Sequence, residues 1–441
     1  MGPPPQPATD GRKLRVCIDA RLADGVGGGV QQVLIGLAAG LSALDEGPED
    51  YLFLVAGRTP AWLEPHLRGS CRALVAPGEV AWKRAVRAVV PSAIIQKAWN
   101  RLDEARPVQV PISDGTIERA GVQVMHQTLQ AGFRTKVPCI YMPYDLQHVH
   151  LPEMFTRREL RWRDATYRTL CREAQAVVAI SRWGRDDLIQ SYELPPEKVR
   201  WVHLAPAVDA YAPITDGERA ATRERLGLPA QFAYYPAQTW KHKNHLGLLE
   251  ALAVLRDRHG LRVPLVSSGF QNDFFPVIER RARELGLSEQ VRFLGFVAPR
   301  TVQALYGLCR MVVFPSRFEG FGMPVVEAFR LGVPVACSNA TSLPEVVGDA
   351  GVTFDPVSTA EIAEAVRRVW IDPVLRGQLA EKGRVLGGLF SWKETARRFR
   401  ALYRQVGGRE LGDDDLRTMA AMREGPPTTG GPHHRGCPTA A

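Results

Sequence analysis

Two glutamates, Glu319 and Glu327, are separated by seven residues in a stretch patterned as strand, loop and helix. The loop between them contains Gly320 and Gly322, and glycine lets a backbone approach a ligand closely. Free N–H groups at the start of a helix suit a phosphate. A carboxylate on the early helix can accept hydrogen bonds from two vicinal ribose hydroxyls, and the loop carboxylate can reach a sugar. The spacing therefore predicts a site for a nucleotide sugar.

The simpler interpretation is that both glutamates are acids favoured near a helix start by the helix dipole. That explains one of them. It does not explain the two glycines, Pro324 in the first helical turn and the order strand, loop and helix together.

A basic segment that opens the second half of the chain contains Gln238, Lys241 and Lys243 directly after an apolar run. Cations where a strand leads into a helix indicate a diphosphate site. A solvated basic helix start is the alternative, and it is less favoured because cations at that end oppose the helix dipole.

Two further segments follow predicted strands. Ser342 and Leu343 begin a loop-to-helix turn that ends with Glu345, and a capping box with Ser342 as the N-cap fits this spacing equally well. In the first half, a glycine run that includes Gly28 and Gly29 follows the first strand. These glycines are predicted to contribute to the nucleotide-sugar site, although three glycines after a strand are weak evidence by themselves.

Short apolar runs alternate with helical patterns along the chain, which predicts parallel sheets built from βαβ units. We expect an α/β fold with two Rossmann-like domains that face each other across a cleft. The predicted strands are 14–19, 51–56, 121–125, 137–142 and 176–180 in the first domain, and 232–236, 261–266, 291–296, 311–314, 333–336 and 352–354 in the second. The expected divisions are a disordered lead-in 1–13, an acceptor-side domain 14–212, a donor-binding domain 213–388, a helix 389–406 that crosses back to the first domain, and a disordered tail 407–441.

Composition narrows the class of partner. The net charge of +9 favours acidic ligands, but the chain has no nucleic-acid-binding motif, so no nucleic-acid partner is expected. The seven cysteines are scattered without a C-x-x-C pair, which indicates reduced thiols and a cytoplasmic protein rather than disulfides or zinc.

The segment 82–101 is basic, contains two tryptophans and has no acidic residue. Pro91 interrupts it. It suits peripheral contact with an anionic membrane, and an ordinary basic helix pair explains it equally well.

The segment 319–328 resembles the E-x7-E motif of the GT-B glycosyltransferases of family 4. The resemblance extends over residues 14–405 and is strongest in the second half. It implies that Glu327 binds the nucleotide ribose, that Glu319 contacts the donor sugar, and that Phe321 lies in the same donor loop.

The same resemblance implies further donor contacts. Lys243 matches a lysine that binds the diphosphate, while Gln238 stands where the family has an arginine, so Lys241 is expected to replace the lost charge. Backbone amides near Ser342 and Leu343 are implied to contact phosphate.

The family often has a histidine where this chain has Tyr144, followed here by Asp145. These two residues and His148 are expected on the acceptor or sugar side. His150 or His126 are alternatives, although each single histidine is more typically structural.

The resemblance implies a retaining transferase without metal, cofactor or protein nucleophile, in which Glu319 and Lys243 do the catalytic work. The segment 240–245 resembles that of mannosyltransferases of bacterial polysaccharide assembly, which implies mannose as the sugar and GDP-mannose as the first donor. The expected acceptor is a hydroxyl of a glycan or lipid-linked molecule. An NDP-sugar 2-epimerase and a non-catalytic sugar-nucleotide sensor are the alternatives. An NAD-dependent dehydrogenase is disfavoured because the first glycine run lacks G-x-G-x-x-G.

Overall fold

The computed structural model of the 441-residue chain describes residues 13–22, 28–44, 47–77 and 108–423. The expected lead-in up to residue 12, the basic segment 82–101 and the end of the expected tail, 424–441, lie outside the described residues. The described chain forms two compact units. Unit 1 contains its residues up to Ile180, Arg185–Val202 and the residues from Lys393 onward, and unit 2 contains Ser181–Gly184 and His203–Trp392.

Unit 1 is built on a seven-stranded parallel sheet with the order β3-β2-β1-β4-β5-β6-β7. Its strands are β1 (Leu14–Asp19), β2 (Glu49–Ala56), β3 (Cys71–Ala76), β4 (Val124–Gln127), β5 (Cys139–Tyr144), β6 (Ala176–Ala179) and β7 (Val199–Trp201). Its helices are α1 (Gly28–Ser42), α2 (Thr116–Arg119), α3 (Gln147–His150), α4 (Arg157–Glu173) and most of α5 (Arg182–Tyr192). The central strands are buried along their length, as expected for parallel strands covered on both faces.

Unit 2 repeats this plan with a six-stranded parallel sheet of order β10-β9-β8-β11-β12-β13. Its strands are β8 (Ala233–Pro236), β9 (Leu265–Ser268), β10 (Val291–Phe293), β11 (Met311–Phe314), β12 (Val335–Ser338) and β13 (Gly351–Phe354). Its helices are α6 (Asp216–Arg225), α7 (His245–His259), α8 (Phe275–Glu284), α9 (Pro299–Leu308), α10 (Met323–Arg330), α11 (Leu343–Val347), α12 (Thr359–Ile371) and α13 (Pro373–Gly387).

The chain passes from unit 1 to unit 2 between Val202 and His203, before the expected boundary at residue 212. The residues between these points are held by unit 2. Trp392 Nε1 donates to Pro206 O at 3.0 Å, and Arg330 Nε donates to Asp209 Oδ1 at 2.8 Å.

The helix predicted near the end of the chain is α14 (Trp392–Val406), and from Lys393 onward it belongs to unit 1. Its Phe399 ring lies 4.7 Å from the buried His126 ring, and Tyr403 Oη lies 2.8 Å from His126 Nδ1. Burial lowers the pKa of His126 to about 3, so this imidazole is a neutral core group.

The expectation of disorder from residue 407 is wrong for the described part of the tail. Residues 413–421 form helix α15 (Asp413–Ala421), and Asp415 is buried. Arg404 holds it there, because its guanidinium lies 2.9 Å from Asp415 Oδ2 and 2.6 Å from Glu49 Oε1. The acidic start of this helix, Asp413–Asp415, therefore supplies one partner of a buried ion pair.

We predict that Arg404→Ala lowers the free energy of unfolding of the protein by about 3–5 kcal/mol, because it leaves two buried carboxylates without their cation. Urea unfolding measures the change. Arg417→Ala is the matched control: its pair with Asp414 is exposed on both sides, so it should cost less than about 0.5 kcal/mol. Equal losses in the two variants would contradict a buried ion pair.

Candidate functional site

The strand–loop–helix stretch of the two glutamates forms as predicted, with β11, a loop and α10. Pro324 lies in the first turn of α10, and Gly322 precedes the helix at φ 108°. A Cβ on Gly322 would lie 2.6 Å from Leu343 Cδ2, so only glycine fits there without displacing that side chain. Leu343 itself is fully buried and acts as packing against the loop.

The loop between β11 and α10 is held by hydroxyl groups of Thr341 and Ser342, which precede α11. Ser342 Oγ donates to Glu319 O at 2.9 Å and to Phe321 O at 3.2 Å. Glu319 N donates to Thr341 Oγ1 at 3.0 Å. The capping-box interpretation of Ser342 and Glu345 is wrong, because the Ser342 hydroxyl is used on the loop and makes no cap to its own helix.

Glu345 caps a different helix. Its carboxylate accepts hydrogen bonds from the backbone N–H groups of Arg182 and Trp183 at 2.9 and 3.0 Å, at the start of α5. His203 Nε2 lies 2.6 Å from the same carboxylate. Glu345 is thereby committed to structure within unit 2.

Lys243 and Glu319 come together as a close ion pair. Their Nζ and Oε1 atoms are 2.6 Å apart, and both side chains are largely shielded from solvent, with exposed fractions of 18% and 12%. Lys243 lies in a 3-10 turn (Lys241–Lys243) that follows β8 and precedes α7.

The Lys243 turn is fastened to the segment that follows β11 by one side-chain amide and one main-chain hydrogen bond. Asn244, at φ 59°, donates from its amide to Pro315 O at 3.1 Å and to Pro356 O at 2.7 Å. Arg317 N donates to His242 O at 2.8 Å. These contacts fix the two loops relative to each other.

The two loops follow β8 and β11, which are neighbours in the sheet. From β8 the strand order runs outward through β9 and β10, and from β11 it runs the other way, so the order reverses between them. Open α/β sheets bind ligands outside the carboxyl ends of their strands at such a reversal. Lys243 and Glu319 therefore stand at the expected ligand position of unit 2.

The second glutamate, Glu327, is buried in the second turn of α10. Tyr306 Oη lies 2.7 Å from its Oε2, and the backbone N–H of Ala207 is a second donor. Burial raises the pKa of Glu327 to about 7, and these donors only partly offset the loss of water. Tyr306 was missed at the sequence level because it stands on α9, with no spacing that links it to the motif.

Three other residues predicted to bind the nucleotide sugar, Gln238, Lys241 and Gly320, lie in the segments that follow β8 and β11. Gln238 Oε1 accepts a hydrogen bond from Trp240 Nε1 at 2.6 Å. Lys241 is exposed, with its Nζ 5.9 Å from the centre of the Phe274 ring. Gly320 is buried in the loop.

Phe321 lies in the loop between β11 and α10, and its side chain is buried. It is 2% exposed, and its ring packs 5.6 Å from His203 and 5.7 Å from Phe390. What Phe321 contributes to the loop is its backbone.

In unit 1, Gly28 and Gly29 are the first residues of α1 rather than part of a loop. Gly28 has φ 32°, and a Cβ on Gly29 would meet nothing within 4 Å. The preceding glycines at 25–27 lie outside the described residues.

Tyr144 ends β5 in the left-handed region at φ 71°, which is strained for a residue other than glycine. Its hydroxyl is buried without a hydrogen-bond partner in the described part of the chain. Burial, followed by the charge of Asp19, raises the Tyr144 pKa, so the hydroxyl keeps its proton. Asp145 accepts a hydrogen bond from Gln147 N at 3.1 Å.

The histidines proposed as substitutes are packed into unit 1. His148 Nε2 lies 2.9 Å from Tyr192 Oη, its ring meets Tyr167 edge-on at 5.0 Å, and burial lowers its pKa to about 4. His150 Nε2 lies 2.6 Å from Asp187 Oδ1. These contacts place the His148 side chain in the core of the unit, whereas the His150 side chain is 26% exposed and lies at the edge of that core.

Comparisons with known proteins bear on the family and the fold of the chain. Residues 219–386 match the family described as glycosyl transferases group 1, and residues 27–209 match glycosyltransferase family 4. The HepE protein of Anabaena, solved with UDP and glucose, superposes with a TM-score of 0.65 at 18% identity, over 89% of this chain and 100% of that one. Sucrose-phosphate synthase from Thermosynechococcus elongatus gives 0.65 at 19% identity, with 89% and 99% coverage.

The fold, with two doubly wound α/β units, is GT-B. The chain belongs to the group 1 glycosyltransferases of this fold. It is 31% identical to O-antigen chain mannosyltransferase B of Escherichia coli over 57% of this chain and 66% of the relative. It is 32% identical to the serotype-specific mannosyltransferase WbdA of Escherichia coli over 51% of this chain and 28% of that relative. The matched segments thus span from about a quarter to just under two thirds of these relatives' own length.

We predict that Glu327→Gln stabilises the ligand-free protein at pH 8 but not at pH 4. The native carboxyl has a raised pKa, so the parent protein loses stability as pH rises from about 4.5 to about 7, whereas the amide does not ionise. A rise of the Glu327 pKa from 4.5 to about 7 corresponds to a difference in the free energy of unfolding of roughly 3 kcal/mol at most.

Thermal unfolding at the two pH values measures this difference. Glu284→Gln, an exposed position on α8, is the control and should change stability by less than about 0.5 kcal/mol at either pH. An effect of Glu327→Gln that is the same at pH 4 and pH 8 would contradict a buried, proton-binding carboxyl.

Proposed function

We propose that this protein is a retaining glycosyltransferase that moves a hexose, mannose first, from a nucleoside-diphosphate sugar to a hydroxyl of a glycan or lipid-linked acceptor. The observation that carries the proposal is the placement of the Lys243–Glu319 ion pair beside the motif helix that holds the buried Glu327, at the strand-order reversal of unit 2. A cation, its partner carboxylate and a second, buried carboxylate match the diphosphate, the sugar and the ribose of one donor molecule.

Each charged group has one role in this proposal. The ionised Glu327 accepts hydrogen bonds from the two ribose hydroxyls. Lys243 binds the diphosphate, and Glu319 accepts hydrogen bonds from the donor sugar. In the ligand-free protein Lys243 and Glu319 neutralise each other, so donor binding exchanges one ion pair for two ligand contacts. Lys241, exposed in the same turn, adds positive charge near the diphosphate.

The proposed reaction is a substitution on one face of the sugar. The acceptor oxygen bonds to the anomeric carbon while the bond from that carbon to the phosphate oxygen breaks. The bonding electrons leave with the nucleoside diphosphate, and a phosphate oxygen takes the acceptor proton. Lys243 stabilises the charge that grows on the leaving group, the kind of electrostatic help that usually dominates. No metal ion, cofactor or protein nucleophile is assigned.

Mannose is the first candidate sugar because two of the curated relatives are named mannosyltransferases. GDP-mannose follows as the first donor to test. A polymeric or lipid-linked glycan is the proposed acceptor, bound by unit 1, and the sugar side of that unit is assigned to Tyr144 and Asp145. In the described ranges, no helix is long and apolar enough to cross a membrane. A cytoplasmic location and contact between segment 82–101 and an anionic membrane remain predictions.

The proposal is tested first with a thermal-shift panel of GDP-, UDP- and ADP-sugars. One nucleotide family should raise the melting temperature by mass action, and Glu327→Ala should abolish the shift. Glu364→Ala, an exposed pair partner on α12, is the control and should keep it. No shift with any nucleotide sugar at millimolar concentration would overturn the donor site.

Turnover separates the remaining alternatives. A transferase consumes the donor and glycosylates an added acceptor, whereas a 2-epimerase would convert UDP-GlcNAc without any acceptor. A sensor would bind the nucleotide sugar and turn nothing over. Mass spectrometry of donor and acceptor, with and without acceptor present, distinguishes the three.

We predict that Lys243→Ala lowers the rate of transfer at saturating donor by about 100-fold, because the leaving diphosphate loses its shielded cation. Lys241→Ala should cost less, since Lys241 is exposed and screened by water. Lys382→Ala, an exposed pair on α13, controls for the loss of a surface charge. A Lys243→Ala protein with the parent's turnover would contradict the assignment.

A further inference from the structure

The buried Glu327 carboxylate has no cation against it in the described part of unit 2. The charged groups near it are Asp209, whose charge disfavours ionisation, and Arg330, which is already paired with Asp209 at 2.8 Å. The other titratable groups are Tyr306 and Tyr234, both fully buried phenols. Within the described residues, the carboxylate therefore depends on neutral donors, with Tyr306 Oη as its side-chain donor.

Tyr306 is rigidly placed. It is fully buried on α9, and the Tyr234 ring meets it edge-on at 5.1 Å and 86°. Burial raises its pKa well above the ordinary value, so the phenol keeps its proton at any pH at which the protein works. Tyr306 therefore always has one hydrogen to donate.

That single hydrogen has two acceptors within reach. Tyr306 Oη lies 2.7 Å from Glu327 Oε2 and 3.2 Å from Pro324 O, the carbonyl in the first turn of the same helix α10. When Glu327 is ionised, the phenol donates to the carboxylate. When Glu327 is protonated, the carboxyl group can donate to the phenol oxygen while the phenol donates to Pro324 O. The two hydrogen-bond patterns differ by one proton on Glu327.

We propose that Tyr306 is a positioning residue that orients the Glu327 carboxylate toward the donor ribose and couples donor binding to the release of one proton. This inference rests on the proposed function, because it assumes that Glu327 receives the ribose hydroxyls. The ionised carboxylate can accept hydrogen bonds from both ribose hydroxyls, whereas in the protonated carboxyl group one oxygen carries a hydrogen of its own. Tyr306, by holding Oε2, leaves the rest of the carboxylate for the ligand.

The sign of the pH dependence follows from the raised pKa of Glu327, about 7 in the free protein. Below pH 7 most molecules carry the proton, so donor affinity falls by up to tenfold for each pH unit. Above about pH 8 the carboxylate is ionised and affinity levels off. Loss of the phenol hydroxyl removes a hydrogen bond to the charged form, which moves this midpoint upward by about one pH unit.

The ligand-free test uses Tyr306→Phe, with Tyr234→Phe as the matched control. Tyr234 has a similarly buried hydroxyl, bonded to Ser268 Oγ at 2.6 Å rather than to Glu327. The stability difference between each protein and its Glu327→Gln derivative is followed from pH 4 to pH 9. The pH at which that difference levels off is the titration midpoint of Glu327 in the folded protein. Tyr306→Phe should shift this midpoint upward by about one unit, and Tyr234→Phe should leave it in place. An unmoved midpoint in Tyr306→Phe overturns the inference.

The ligand test measures the dissociation constant of GDP and UDP by calorimetry from pH 6 to pH 9, in buffers with different ionisation enthalpies. Binding below pH 7 should release close to one proton. Tyr306→Phe should bind about tenfold more weakly than the parent protein at pH 6, about fivefold more weakly at pH 7 and within about twofold at pH 9. A loss that is equal at every pH indicates a merely structural role and also overturns the inference.

The two tests separate two kinds of failure. A shifted midpoint without binding of either nucleotide would show that Tyr306 controls Glu327 but that the proposed donor site is wrong. Nucleotide binding with an unmoved midpoint would leave the proposed function standing and remove the role of Tyr306.

Discussion

The removal of one carboxylate from water, that of Glu327, is the constraint on which unit 2 depends. A buried acid with a pKa near 7 is unfavourable for the folded protein at neutral pH, and the fold tolerates it only because donors reach it from outside its helix. The phenol comes from α9 and the backbone N–H from residue 207. A structural role alone gives no reason for an acid here, because an apolar residue of similar size would avoid this cost. The destabilising carboxylate is understandable if a ligand supplies the missing hydrogen bonds.

The parallel sheet explains why the other charged groups are where they are. β8 and β11 are neighbours whose following loops emerge at the same edge, so Lys243 and Glu319 meet although 75 residues separate them in sequence. The side-chain amide of Asn244, the backbone N–H of Arg317 and the hydroxyls of Thr341 and Ser342 then hold the loops without using the charged groups. The ion pair is left as the exchangeable element of a rigid frame.

Much of this could be predicted from the sequence, because the signals were local. Buried parallel strands are continuous apolar runs, and β1 and β11 begin and end where the pattern placed them. The strands that were missed lie at the two edges of the unit 1 sheet. β3 is half exposed and has Arg72 as its second residue, and β7 has only three residues with Arg200 in the middle. Helix α15 was missed because its acidic start resembles a solvated tail when the partner Arg404 is not known.

The site residues likewise fall into those that the sequence predicted and those that it did not. The two glutamates and the glycine before α10 form one continuous motif, so spacing alone was informative. Tyr306 and the Ser342 hydroxyl act across the fold, and Phe321 turns its ring into the core; none of these contacts has a sequence period that reveals it. Tertiary contacts of single polar atoms are what the sequence could not supply.

The most direct measurement is a crystal structure of the protein with a bound nucleoside diphosphate. The account predicts both ribose hydroxyls within hydrogen-bonding distance of the Glu327 carboxylate, the β-phosphate within ion-pair distance of Lys243, and Lys243 and Glu319 drawn apart. A nucleotide bound elsewhere, or one bound beside an unchanged Lys243–Glu319 pair and a Glu327 that it does not touch, would contradict it.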